Sequence, residues 1–411
     1  MEKWIKIFVV WFLFIGTVQV IHAEEKIHIY LDADRTGAKA SGLSIERGIR
    51  VALDEVNNQV QGRAIEVLIR DHNGSSVRSK RHLKEYIADD NALVVYSGLH
   101  SPPLLENLKY IHSNQVLVLD PWAAAGPITR YPSSENWVFR LSVDDSKAGH
   151  VISRHTLSEG FNKPYLLLEN TGWGKSNYKT MTKSLGEKGI TPVGVQWFNW
   201  GVGETGAKIM LRNIYASGAD VVLLVANATE GKVFARAMLE LTQEPSYTKP
   251  LPIRSHWGIT GGDFPQQITP TMRERLDLKF LQTKFSFVSS PPTELSNQVL
   301  ARAKKLYPDE IRSAADITAP TGFIHAYDLT RLLLAAISNV ELTGNIKQDR
   351  KNLRIALENI TQPVNGLVKT YQTPFTPFSQ QAMDAHEALG LEDLVMARYD
   401  KENRIVIVKD K

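Results

Sequence analysis

The sequence predicts an α/β protein built from two doubly wound, Rossmann-like lobes joined by a multi-strand hinge. Three observations carry this expectation. Short apolar segments alternate with amphipathic stretches along most of the chain. The alternation runs through once, breaks near 140–149, and starts again. The 411 residues also exceed what a single hydrophobic core ordinarily holds. A repeated strand–helix–strand rhythm builds parallel sheets covered on both faces, so two rounds of it build two lobes.

The first 23 residues stand apart from this rhythm. Lys3 and Lys6 precede an apolar stretch over 7–20, and Ile21-His22-Ala23 places a small residue last, which is the layout of an export leader. A membrane anchor is the competing reading. The apolar core falls short of the roughly 20 residues that span a bilayer, and Glu24-Glu25-Lys26 follows at once. Cleavage after Ala23 is therefore expected, releasing a soluble chain into a periplasm-like space.

In the first lobe, strands are expected at 27–32, 65–70, 92–96, 116–119 and 138–141. Between them, 44–57 and 78–89 carry apolar residues at i, i+3, i+4 spacing, as helices packed on a sheet do. The second round places strands at 165–168, 193–197, 221–225, 252–256 and 280–287, with helices at 175–188, 206–216 and 231–241. A return crossing is expected at 284–291, beside Ser289-Ser290-Pro291-Pro292, before helices at 293–306 and 321–339. The expected division is leader 1–23, first lobe 24–141, second lobe 142–286, first lobe again 287–365, and second lobe 366–411. A ligand would sit between the lobes, at the carboxyl ends of the strands.

Composition narrows the function. Lys and Arg number 48 against 44 Asp and Glu, a net charge of +4 that falls to +3 once Lys3, Lys6 and Glu2 leave with the leader. No basic block exists, which argues against a nucleic-acid partner. There are no cysteines. Disulfides, thiolate catalysis, Cys-based metal sites and a lipid-modified cysteine at the leader junction are excluded together.

Two motifs mislead. Gly172-Trp-Gly-Lys-Ser176 looks like the end of a phosphate loop, but the pattern requires glycine at 169, where this chain has Glu169. His150 and His155 have no third metal-type ligand nearby. Asp144-Asp145 reads as a helix cap, and no nucleophile elbow or triad spacing is recognisable. No catalytic residue, cofactor or metal is expected.

The residues do resemble one family. The block from Arg47 to Asn57, followed by 65–71, is similar to the first helix and second strand of the periplasmic solute-binding proteins of branched-chain-amino-acid ABC transporters. Ser97-Gly-Leu-His-Ser101, Asp120-Pro-Trp-Ala-Ala-Ala-Gly-Pro-Ile-Thr129, Phe139-Arg140 with 145–149, and Ala326-Tyr-Asp328 follow in the order and spacing of that family. The resemblance implies a type 1 periplasmic binding fold and a non-enzymatic role. The lobes would close on a solute by a hinge, and the closed form would be delivered to ABC permease subunits. A ligand-sensing module for a membrane receptor shares every cleft residue and is the alternative. A secreted hydrolase is a more distant competitor, since it needs a catalytic constellation. A monomer is expected.

The resemblance also places site residues. Ser101 falls on the family's binding serine, and Ala123 and Ala124 on its Ala-Thr pair. A cap for a helix starting at Pro102 is the plainer role for Ser101. Trp173 and Asn227 replace two tyrosines, and Trp257 replaces the glutamate that pairs with an amino acid's ammonium. With Trp122, these give an aromatic cleft suited to planar or quaternary-ammonium solutes. Core or hinge packing is the competing role for the tryptophans. Glu169 or Asp34 could supply the missing carboxylate.

Overall fold

The computed structural model describes residues 26–133 and 135–408, so the expected leader lies outside the described residues. The first sheet holds β1 (Ile27–Ala33), β2 (Gln59–Val60), β3 (Arg63–Asp71), β4 (Ala92–Ser97), β5 (Val118–Asp120) and β6 (Val138–Arg140), in the order β2-β3-β1-β4-β5-β6. β1 lies between parallel partners, with Ile29 opposite both Val67 and Val94. Its residues are buried on both faces almost throughout, so apolar side chains dominate it, and the buried Asp32 is satisfied by Ser79 and His82.

The second sheet holds β7 (Pro164–Glu169), β8 (Gly194–Phe198), β9 (Val221–Val225), β10 (Ile253–Ser255) and β11 (Leu278–Thr283). After the small hairpin of β12 (Val364–Asn365) and β13 (Thr370–Tyr371), β14 (Leu394–Tyr399) and β15 (Ile405–Ile407) complete it. Its order is β15-β14-β11-β10-β9-β7-β8. The two doubly wound lobes are those expected from the alternation, except that β2 in the first sheet and β14 and β15 in the second add antiparallel edges.

The late helices Glu294–Leu306, Pro320–Ile337 and Ile346–Leu357 cover the first lobe. Gly48 makes one of these contacts possible. A Cβ there would lie 2.3 Å from the Phe323 carbonyl oxygen, so the helices Lys39–Asp54 and Pro320–Ile337 touch backbone to backbone. The Ser44 hydroxyl donates to the Ala319 carbonyl across the same contact, at 2.8 Å.

One expected boundary moves. Residues 366–389 dock chiefly on the first lobe, although Glu387 and the Leu389 carbonyl also accept from Lys147 of the second. Phe139 stacks on His386 at 3.9 Å and meets Phe375 edge-on at 5.1 Å, while Asp328 accepts from the backbone of Leu367 and Val368. The chain re-enters the second sheet only at Leu394. Within the crossing, the helix expected after Asp144-Asp145 runs over Asp145–Ser158, with Asp144 as its cap.

Candidate functional site

Ser101 opens the short helix Ser101–Leu105, with His100 in the cap position, so Ser101 is not the cap. Its buried Oγ accepts instead from the Ala125 N–H at 3.2 Å, tying together the loops after β4 and β5. No acceptor for the hydroxyl proton lies among the described residues, so it can donate to a solute. Ala124 is buried in the second loop, and its carbonyl accepts from the Asp145 N–H at 2.9 Å.

Ala123 departs from its expected role. Its N–H donates to Asp120 Oδ1 at 2.9 Å and it lies outside the chamber described below, because Asp120 gathers the turn's amides to itself. Burial pushes the Asp120 carboxyl up to about 6, against the opposing pull of Arg140 and these hydrogen bonds.

The second lobe answers with Trp173, at the start of helix Gly172–Gly186, Asn227 before helix Ala228–Leu241, and Trp257 just after β10. Buried Asp145 holds Trp173 in place. Its Oδ1 accepts from Trp173 Nε1 at 3.2 Å and Asn177 Nδ2 at 2.7 Å, and it lies 3.2 Å from His256 Nε2. His256 Nδ1 accepts from the Trp257 N–H at 2.9 Å, which leaves the imidazole proton on Nε2, facing Asp145. Trp257 then lies edge-on to His256 and to the first-lobe His325, each at 5.5 Å.

Ser101, Trp122, Ala124, Trp173, Asn227 and Trp257, drawn from both lobes, meet around one chamber with Glu169. Its volume is about 10 Å³, room for about one water molecule. The tryptophans fill this space more than they line it. A Cβ on Gly322 would come within 2.6 Å of the Trp122 ring, and one on Gly258 within 2.7 Å of Trp173. Both rings are pressed into notches that only glycine leaves open. Trp122 Nε1 is buried with no hydrogen-bond partner among the described residues.

Of the two candidate carboxylates, Glu169 reaches the chamber and Asp34 does not. Glu169 accepts from Asn227 Nδ2 and Thr171 Oγ1, each at 3.0 Å. Burial pushes it up to about 7, outweighing hydrogen bonds from Trp200 and Thr171 that favour the ionised form. Asp34 accepts from the amides of its own turn and from His100 Nε2 at 3.1 Å. Burial alone would raise it, but these bonds hold it well below the usual carboxylate range.

Outside the chamber, and sharing Leu99, His100 and Asn227 with it, lies a vestibule of about 730 Å³ between the lobes. Trp200, in the loop after β8, forms part of its wall. This residue was not anticipated from the sequence. Its position just past the carboxyl end of a second-lobe strand was the available signal.

Residues 30–241 match the sequence model of a family described as periplasmic binding protein. No curated protein matches the chain. Among solved structures, a periplasmic binding protein type 1 from Bordetella pertussis Tohama I is similar at 16% identity, with a TM-score of 0.73 over 93% of this chain and 100% of that one. An ABC transporter solute-binding protein from R. palustris, in complex with 4-hydroxybenzoate, gives 17% identity and a TM-score of 0.73 over 94% and 96%. The branched-chain amino acid transporter substrate-binding protein LivJ from Streptococcus pneumoniae, in complex with isoleucine, gives 17% and 0.72 over 94% and 100%. At these identities the likeness is one of fold.

Proposed function

The chain belongs to the periplasmic binding protein family, and from that premise we propose that it captures a small polar organic solute between its lobes for an ABC permease. It is a binding protein, not an enzyme. The observation that carries the proposal is the meeting of side chains from both lobes at one seam. Ser101, Trp122 and Ala124 face Trp173, Asn227 and Trp257 there, around the carboxylate of Glu169. Contacts divided between two lobes favour the closed form by whatever affinity they have for it over the open one.

A solute that engages both lobes stabilises the protein by RT ln(1 + [L]/Kd). A thermal-shift screen of amino acids, amides, aromatic acids and organic amines should therefore raise the melting temperature for one class. That class should lose its effect when Asn227, which lines both the chamber and the wider space outside it, is truncated to Ala. A stabilising solute whose effect survives that truncation would place binding elsewhere and end the proposal.

A further inference from the structure

The inner chamber encloses about 10 Å³ and the adjoining vestibule about 730 Å³. Organic ligand sites commonly span roughly 300–1,000 Å³, so the vestibule is of solute size and the chamber is not. On its wall, Trp200 comes from the second lobe yet rests on the first. Its ring tilts over His100 at 5.2 Å, and a Cβ on Gly74 would touch it at 3.1 Å. Glu230 Oε1 fixes the backbone beside it by accepting from the Gly201 N–H at 3.0 Å. The indole is nevertheless 40% exposed.

The charges around this ring do not balance. Arg47 pairs with Glu310 at 3.4 Å, and Lys232 with Asp263 at 2.8 Å. Asp34 has His100, at 3.1 Å, as its one basic partner, buried Glu230 has no basic partner among the described residues, and Asp316 is held by the backbone amides of Arg312 and Ser313. Against these three carboxylates the vestibule sets only His100, on Asp34, and Lys39, its one Lys or Arg outside an ion pair among the described residues. A surplus of negative charge beside an exposed indole attracts cations twice over, through Coulomb attraction and through the ring face. It opposes an anion.

We propose that the vestibule, on the Trp200 face, is the seat of an organic cation, a solute carrying an ammonium or alkylated nitrogen on a compact apolar body. This rests on the reading of the cleft as a solute site and moves the solute outward from the tryptophan-filled chamber.

Calorimetry on the leaderless chain with choline and benzylamine as cations, benzoate as anion and leucine as zwitterion tests it. At least one of the two cations should bind, and benzoate should not. Trp200→Ala should weaken the cation by about tenfold or more, with Trp200→Phe retaining part of the affinity, as an aromatic face predicts. Circular dichroism on both variants should match the parent, since the ring is half exposed. Cation binding unchanged in Trp200→Ala overturns the assignment. Binding of benzoate or leucine but neither cation, lost in Ser101→Ala, also overturns it while leaving the cleft reading intact. Silence from both cations overturns it too, and the separate lobe-closure measurement then decides the cleft reading.

Discussion

At the scale of single residues, the site is a set of polar groups already committed to one another. Ser101 Oγ is the partner of the buried Ala125 N–H. Ser101→Ala should therefore cost about 1–2 kcal/mol of stability without any ligand, the scale of a buried donor left unpaired. Urea denaturation measures this, and an unchanged midpoint would assign the serine to the solute alone. Glu169 carries a different signature. Its folded value of about 7 lies above that of an ordinary glutamate, so the folded state holds its proton more tightly than the unfolded one. The stability contribution is then complete at low pH and is lost as pH rises from the ordinary glutamate range to about 7. Glu169→Gln, which cannot ionise, should raise the melting temperature at pH 8 and leave it nearly unchanged at pH 4.5. An equal shift at both values would show that the carboxyl's proton is not the cause.

At the scale of elements, two glycines decide how the tryptophans sit. Gly322, in the helix Pro320–Ile337, and Gly258, just after β10, leave the notches that Trp122 and Trp173 occupy. Gly322→Ala should destabilise by about 1–3 kcal/mol despite improving helix propensity, because overpacking outweighs the propensity gain of about 1 kcal/mol. Stabilisation by this change, read from the denaturation midpoint, would mean that the ring is free to move and the chamber can open. These glycines also show where reading the sequence stops. Strands such as β4 and β9 were legible because burial on both faces makes them nearly continuous apolar runs. The resemblance brought six chamber residues to one place, yet whether a tryptophan lines a cavity or plugs it depends on glycines up to 200 positions away. Trp200 was missed because a lone aromatic in a loop has no periodicity. The docking of residues 366–389 chiefly on the first lobe was not legible, because an irregular segment held by Phe375 and His386 carries no strand or helix pattern.

At the scale of the whole molecule, a buried charge cluster sits where the chain crosses between the lobes. Fully buried Arg140 donates to Glu387 Oε1 and to Thr129 Oγ1, each at 3.0 Å, and to the Ala125 carbonyl at 2.8 Å. Burial would raise Glu387, but Arg140 and Lys147 hold it far below the usual glutamate range. A carboxylate depressed in this way contributes stability above its unfolded value, and that stability is lost as pH falls through the acid range. Glu387→Gln should flatten the acid limb of the stability curve, and an unaltered limb would place acid sensitivity elsewhere. Export is the second expectation at this scale. N-terminal sequencing of material from the periplasm should begin at Glu24, and an intact Met1 on membrane-bound protein would contradict the leader.

The central claim is that the two lobes close on a solute. Because the chain has no cysteine, Val77→Cys in the first lobe and Ile209→Cys in the second, both at exposed positions, admit one spin label each. Double electron–electron resonance then reads the distance between lobes directly. The account predicts a broad or two-peaked distribution without solute that collapses to a single shorter distance with any solute that raises the melting temperature. A single distance that such a solute leaves unchanged would contradict it.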